Sequence, residues 1–202
     1  MRFAGIALAL LGACTDFAGP GGSAASVILP GDVTVRGPEG YCIDTRISRP
    51  SAGFAALADC ALISDVGTSP RIEGLITVQV GAAGTASVAG AEQELGNLLR
   101  SAQGLALLAS DGQAASVRLD TVEIERGMVI VHFTDTSAPI APGLEQLEWR
   151  AFFDIGDRLT TVGVRGFARD PISRRDGLRL LNQAVDTLRA ANSAVSGASA
   201  GG

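Results

Sequence analysis

The sequence predicts an α+β domain, built on a single antiparallel β-sheet with its helices packed mainly on one face. Two β-hairpins, which follow each other in the second half of the chain, predict the sheet. Apolar residues at helical spacing in two other segments predict the helices. The composition allows a buried core, because 47% of the 202 residues are hydrophobic and only 18% are charged.

The first hairpin is centred on Arg126-Gly127, because glycine supplies the positive φ that a tight hairpin turn favours. Pairing outward from this turn sets Val122 opposite Val131 and Ile124 opposite Val129. These four side chains therefore form one core face. The predicted strands are Val117–Arg126 and Met128–Thr134.

The second hairpin is centred on Gly156-Asp157. Every second residue of its first strand is apolar, which directs those side chains to one side of the sheet. On the other side Glu148 falls opposite Arg165, and this pair predicts a solvated face whose ion pair contributes roughly a few tenths of a kcal/mol. The strands are Gln146–Ile155 and Arg158–Ala168, and the alternating residues are Leu147, Trp149, Ala151 and Phe153.

A further strand is predicted at Leu75–Val80, followed by a loop rich in glycine and alanine. Leucines at spacings of three and four predict a helix within Glu92–Leu108. A stronger helix follows Pro171, where Ser173 and Asp176 form a capping pair. The buried stripe of this last helix is predicted to be Leu178, Leu181, Val185 and Leu188.

The N-terminus carries Arg2 and then an apolar run, Phe3–Leu11, that is too short to span a bilayer. The next residues, Leu11-Gly12-Ala13-Cys14, resemble the lipobox of bacterial lipoproteins. The resemblance implies that Met1–Ala13 is removed and that Cys14 carries a diacylglyceryl group on its sulfur and an acyl chain on the new amino terminus. The alternatives are an ordinary cleavable signal in which Cys14 is incidental, or a buried apolar N-terminal helix.

This interpretation divides the chain into four parts. Residues 1–13 form the lipoprotein signal peptide, and residues 14–26 hold the lipidated cysteine and a flexible linker rich in glycine and serine. Residues 27–192 form the single α+β domain, and residues 193–202 form a disordered tail. Thr15, instead of aspartate, directly follows Cys14, and the resemblance to lipoprotein sorting signals therefore implies the periplasmic face of the outer membrane.

With Cys14 assigned to lipid, Cys42 and Cys60 remain as a pair in an oxidising compartment, where a disulfide is the expected state. Closing a loop of this length stabilises the fold by about 3 kcal/mol in the chain-entropy model. The alternative is a redox pair or a nucleophilic Cys42, but neither cysteine has a CxxC spacing or a histidine close by in the sequence.

The composition also excludes several classes of function. All 16 basic residues are arginines, so a phosphate-loop lysine, Schiff-base chemistry and a lysine general base are excluded. The formal net charge of −5 argues against nucleic-acid binding. One histidine and a presumed-oxidised cysteine pair do not make a typical zinc site, and there is no calcium-binding loop. We therefore expect no cofactor and no metal.

His132 is the one imidazole available for catalysis. Asp120 and Asp135 lie near it in the sequence, and Thr121 is predicted to lie across the strand pair from it. However, His132 falls in the middle of a strand, and no Gly-x-Ser-x-Gly turn presents a nucleophile to it. The carboxylate pairs Glu123 with Glu125 and Glu145 with Glu148 are better explained as solvated faces than as acid/base pairs. We expect no catalytic residue.

Four arginines cluster between the last strand and the last helix, at positions 165, 169, 174 and 175. They could bind anionic lipid headgroups or an acidic partner. We favour the simpler interpretation, in which Asp170, Asp176 and Glu148 neutralise them locally.

The order of elements is similar to the fold shared by the photosystem II subunit PsbP and the Ran-binding protein Mog1: a strand after Leu29-Pro30-Gly31, a helix, paired strands, a long hairpin and the helix Leu178–Asn192. A closer resemblance is to small lipoproteins of alphaproteobacteria, carried by the lipobox, Leu-Pro-Gly, Gly40-Tyr41-Cys42-Ile43-Asp44 and the terminal helix. Some of these are labelled cation-transport ATPases. The sequence does not support that label, because it contains no Asp-Lys-Thr-Gly motif and no run of membrane spans.

These observations predict a membrane-anchored periplasmic lipoprotein, held to the membrane through Cys14, that binds or helps assemble another envelope protein and is not an enzyme. The first alternative is a lipid or small-molecule carrier with a pocket between sheet and helices. The second is an enzyme whose site is not recognisable in the sequence. A deep apolar cavity would favour the carrier.

Overall fold

The computed structural model describes residues 22–64, 67–137 and 141–193. Residues 1–21 and 194–202 lie outside the described part, so the predicted signal peptide, Cys14 and nearly all of the predicted tail do too. The strands are β1 Ser23–Ala24, β2 Ser26–Leu29, β3 Val33–Arg36, β4 Tyr41–Asp44, β5 Phe54–Asp59, β6 Leu75–Val80, β7 Val117–Glu125, β8 Met128–Asp135, β9 Leu147–Ile155 and β10 Arg158–Arg165. The α-helices are α1 Cys60–Ile63, α2 Glu92–Leu99, α3 Ala102–Leu108 and α4 Arg174–Ala191.

Eight strands form one antiparallel sheet in the order β1-β4-β5-β6-β10-β9-β8-β7, and β2 pairs with β3 in a separate ribbon. The α+β class with a large antiparallel sheet is therefore confirmed. The predicted hairpin registers are also confirmed: Val122 pairs with Val131 in the first hairpin, and Trp149 pairs with Val164 in the second. Strand β6 has the predicted bounds.

The first face of the sheet is covered by α4 and by the β2–β3 ribbon. Trp149, Ala151 and Phe153 of β9 point into this core, where they pack with Leu181 and Val185 of α4. The helix begins as predicted, because the Ser173 hydroxyl accepts a hydrogen bond from the Asp176 amide at 3.1 Å. This is the larger of the apolar clusters and the main source of burial in the domain.

The second face carries α2 and α3, which pack against Val129, Val131 and Phe133 of β8. The expectation that the helices pack mainly on one face is thus not confirmed: α4 lies on one side of the sheet, and α2 and α3 lie on the other. The reason lies in β8, where both Val129 and Ile130 are fully buried. A strand that is apolar on both sides needs cover on both sides.

The predicted helix within Glu92–Leu108 is divided in two. Ser101 starts a second helix, because its hydroxyl accepts a hydrogen bond from the Gly104 amide at 3.2 Å. Glycine is required at position 104, since a Cβ there would collide with the carbonyl oxygen of Leu98. The break lets both short helices lie against β7 and β8.

Two features fix the N-terminal part of the domain. Ser23 and Ala24, which fall in the predicted linker, pair with Asp44 and Ile43 at the edge of the sheet. Strand pairing among the described residues therefore begins at Ser23. The predicted disulfide between Cys42 and Cys60 is confirmed, with a Cα–Cα distance of 4.9 Å.

Asn192 joins the end of α4 to strand β3. Its side chain is 2% exposed and exchanges two hydrogen bonds with the Thr34 backbone: its Oδ1 accepts at 2.9 Å and its Nδ2 donates at 2.8 Å. The same Nδ2 donates to the carbonyl of Leu188 at 2.7 Å. One buried amide thus ties the end of α4 to β3. None of the described helices is long and apolar enough to cross a membrane.

We expect Asn192→Ala to destabilise the protein by about 2 kcal/mol, because it leaves the Thr34 backbone groups without partners at a buried position. Urea unfolding followed by circular dichroism measures this loss. The matched control is Asn97→Ala, since Asn97 is an exposed helical asparagine and its replacement should change stability by less than about 0.5 kcal/mol. Equal effects of the two variants would show that Asn192 does not hold β3 to α4.

Candidate functional site

His132 lies on β8 opposite Thr121, as predicted. It is 7% exposed, and its ring stacks on Trp149 with the ring centres 4.3 Å apart. A β-bulge after Leu119 displaces Asp120, whose Oδ2 lies 3.2 Å from His132 Nδ1 but without hydrogen-bond alignment. A cavity of about 60 Å³ adjoins the ring, which is space for about two water molecules.

The surroundings of His132 favour its neutral form. Burial lowers the pKa of the imidazole most strongly, the Asp120 carboxylate raises it, and the guanidinium groups of Arg174 and Arg118 lower it further. The net effect is a pKa below the ordinary 6.5. At neutral pH the ring is therefore an uncharged aromatic partner of Trp149.

The structure keeps one of the two carboxylate pairs together and separates the other. Glu123 and Glu125 do share a strand face on β7. Glu145 and Glu148 do not act together: Glu145 Oε2 accepts from the Ile172 amide at 3.0 Å beside the His132 cavity, whereas the carboxylate of Glu148 lies on the second face of the sheet.

Glu148 is the centre of a buried ion network. Its Oε2 accepts from Arg165 Nε at 2.7 Å, and its Oε1 accepts from Arg150 Nε at 2.7 Å. The predicted pairing of Glu148 with Arg165 is correct, but the expected solvated face is wrong, since the two residues are only 4% and 5% exposed. The segment around Leu144 lies next to them, since Arg165 Nη1 donates to the Glu145 carbonyl at 3.2 Å.

Asp135 extends the network on the same face. Its carboxylate accepts from the amide and hydroxyl of Ser110, at 2.9 and 2.7 Å, and from those of Ser137, at 3.0 and 2.5 Å. Burial raises its pKa, but the hydrogen bonds from Ser137 and Ser110 outweigh that effect and hold the pKa at about 2. The carboxylate stays charged 3.7 Å from Arg165 Nη2.

An open pocket of about 250 Å³ lies over this network. Its floor is Gly163, which pairs with Arg150 on one side and Thr77 on the other. Glycine leaves room there, because a Cβ would come within 2.7 Å of Thr77 Oγ1 and 2.8 Å of Glu148 Oε1. The sequence offered a signal in the form of one glycine within an apolar strand, and this typically marks a close approach.

The predicted arginine cluster is not a cluster in the structure. Arg165 is buried with Glu148, Arg169 lies over the Phe167 ring, and Arg174 lies over the Trp149 ring. Asp176 pairs with Arg179 at 3.1 Å instead of with the predicted arginines. Of the four arginines, Arg165 is the one neutralised by its predicted partner.

An open groove of about 830 Å³ lies between α4 and two loops, around Pro38–Glu39 and Thr68–Glu73. The Tyr41 hydroxyl donates to the Ile72 carbonyl at 2.6 Å and so fixes the second loop. Burial, with the nearby carboxylates of Asp59 and Glu73, raises the pKa of Tyr41 far above its usual range. The groove is acidic: its lining contains Glu39, Glu73, Asp170, Asp176 and Asp186 against Arg71 and Arg179.

In the ranges 22–64, 67–137 and 141–193, no three histidine, cysteine or acidic side chains are grouped so that they could hold a metal ion. Comparison with protein families, curated proteins and solved structures found no match. The functional interpretation therefore depends on the residues and on the surfaces they form.

We expect the midpoint of the His132 titration to lie below pH 6.5, and NMR measures it directly because the chain contains one histidine. A base whose pKa is lower when folded stabilises the fold fully above its unfolded pKa and loses that contribution as the pH falls. Unfolding free energy should therefore drop more between pH 7.5 and 5 in the wild type than in His132→Phe, which keeps a ring against Trp149. A midpoint above 6.5 would mean that Asp120 outweighs burial.

Proposed function

We propose that the protein is a lipid-anchored periplasmic protein that binds another envelope protein, or helps assemble it, without enzymatic chemistry. The lipobox resemblance of Leu11-Gly12-Ala13-Cys14 supports the anchor. The Cys42–Cys60 disulfide supports an oxidising compartment. The outer membrane is the proposed location, on the strength of Thr15 after Cys14.

The acidic groove along α4 is the observation that carries the binding role. Asp176, Gln183 and Asp186 follow helical spacing, so they form one exposed row on the groove side of α4. The facing loop adds Glu73, and five carboxylates stand against two arginines in the lining. We propose that the groove receives a lysine- or arginine-rich segment of the partner, since opposite charges attract and orient it there.

The proposed anchor would hold the start of the domain near the membrane. Gly22, the first described residue, is eight positions beyond Cys14, a distance of at most about 29 Å even for a fully extended chain. The partner in this proposal is therefore a membrane-associated or periplasmic protein.

The PsbP/Mog1 resemblance belongs to the same proposal. It rests on the order of elements alone, and the two proteins that give this fold its name are a subunit of a larger complex and a binding protein. The α4 groove is open, and most of the residues that line it are polar. Such a surface suits a protein segment better than an apolar lipid cargo.

Cys14→Ser should abolish incorporation of radioactive palmitate into the full chain in growing cells and release the protein into the soluble periplasmic fraction. The control is Cys42→Ser with Cys60→Ser, which keeps Cys14 and should keep the label. Label retained by Cys14→Ser would overturn the anchor but leave the groove proposal intact.

A fluorescent decapeptide of lysine and arginine should bind the full chain in detergent, with affinity that falls as salt is raised. Glu73→Lys with Asp186→Lys should weaken binding about tenfold, because two attractive charges become repulsive. The matched control, Glu125→Lys, changes an exposed glutamate on β7, remote from the groove, and should have little effect. Anisotropy titration measures all three, and equal binding by the double variant would refute the groove as the docking surface.

A further inference from the structure

The pocket over Gly163 lies on the face of the sheet opposite α4, so it is separate from the acidic groove. Thr77, Thr161 and Arg150 point into it, while their strand neighbours Val78 and Val162 point into the core under α4. Its volume of about 250 Å³ equals about eight water molecules. It can therefore hold one small molecule.

Contacts to Glu148 and Phe133 hold the guanidinium of Arg150 in this pocket, and its two terminal nitrogens remain available to a ligand. Its Nε donates to Glu148 Oε1 at 2.7 Å, and its guanidinium carbon lies 5.2 Å from the centre of the Phe133 ring. The side chain is 23% exposed. Its two terminal nitrogens have no hydrogen-bond or ion-pair partner within the described part of the chain. A guanidinium fixed in this way presents two parallel N–H donors. Its side chain is already ordered, so little further conformational entropy is lost when a ligand binds.

Arg150 is the group in this network that is available to a ligand. Both Glu148 oxygens are already engaged, and Arg165 pairs with Glu148 while its Nη1 donates to the Glu145 carbonyl at 3.2 Å. Arg150 is thus the one pocket cation with free donors among the described residues. The two arginines balance the charges of Glu148 and Asp135. A ligand with two negative charges would therefore leave a larger excess of negative charge than a ligand with one.

The other residues that line the pocket indicate the chemistry of the part of the ligand beyond its charged group. The hydroxyls of Thr77 and Thr161 line the pocket and make no hydrogen bond to other described residues. Phe54 of β5 and Leu75 of β6 add apolar groups to the lining, on the side of the pocket away from β9. The walls therefore offer polar contacts beside Arg150 and an apolar surface beyond them.

We propose that this pocket binds a small monocarboxylate, whose carboxylate is held by the two terminal nitrogens of Arg150. Thr77 and Thr161 donate to the same group or to a neighbouring polar atom, and a short apolar portion lies against Phe54 and Leu75. The carboxylate belongs either to a free organic acid or to the C-terminus of a peptide. This site does not depend on the proposed partner-binding groove.

Isothermal titration of the full chain in detergent tests the site with butyrate as the free acid and N-acetyl-dialanine as the peptide terminus. Butyramide and inorganic phosphate are the comparison probes. Butyramide lacks the negative charge of butyrate, and phosphate carries more negative charge than a carboxylate. We expect saturable binding of at least one carboxylate, and binding at least tenfold weaker for butyramide and for phosphate. The carboxylate that binds more tightly identifies whether the ligand is a free organic acid or the C-terminus of a peptide.

Arg150→Gln should weaken carboxylate binding at least tenfold, because charge-assisted hydrogen bonds are lost. Arg118→Gln is the matched control: Arg118 is also a strand arginine, its side chain is 70% exposed, and it pairs with Asp120 away from the pocket. Thr77→Val, which leaves the ion network intact, should weaken binding severalfold and provides a second test if Arg150→Gln unfolds. Undetectable binding of both carboxylates at 50 mM, or unchanged binding in both pocket variants, would overturn the proposal.

Discussion

The side chains of strand β9 alternate between the apolar core under α4 and the polar second face of the sheet, and the rest of the structure depends on this alternation. Trp149 and Phe153 point into the core beneath α4, whereas Glu148, Arg150 and Asp154 point to the second face. There the Asp154 carboxylate accepts hydrogen bonds from three consecutive backbone amides, at positions 87 to 89, and so fixes the loop that precedes α2. A slip of one residue in β9 would place three charges under α4 and two aromatic rings on the polar side, so the register is strongly specified.

The buried network on the second face explains why that face is only partly covered. Burying Glu148 and Arg165 costs solvation free energy, which the ion pair and its hydrogen bonds offset only while every partner is present. An apolar helix laid over Arg150 would bury its free nitrogens without partners. Helices α2 and α3 instead pack against the apolar strip of β8, with Val129 and Val131. The polar centre of the sheet therefore stays open, and the pocket over Gly163 is its consequence.

Local signals in the sequence predicted much of this fold. Turn glycines and strand alternation predicted both hairpin registers, and the capping pair at Ser173 predicted the start of α4. The disulfide was predicted because the assignment of Cys14 to lipid left Cys42 and Cys60 as the remaining pair. The sequence could not show which face of the sheet each helix covers, because cover depends on contacts between distant segments. For the same reason Glu148 was expected to be solvated. Its surroundings include Ser110, which precedes the first hairpin in the sequence, and the segment around Leu144, which follows it. The groove was missed because it forms only when the Ile72 loop meets α4.

The groove and the pocket use opposite faces of one sheet, and this has a consequence for their chemistry. The groove is built from exposed side chains of α4 and two loops, where solvent screens each charge, so only several charges acting together can select a partner. The pocket places a single guanidinium against a buried network, where each hydrogen bond is worth more because water is partly excluded. A long basic segment suits the first surface and a small anion suits the second. No described residue lines both surfaces, so substitutions at either one leave the side chains of the other in place.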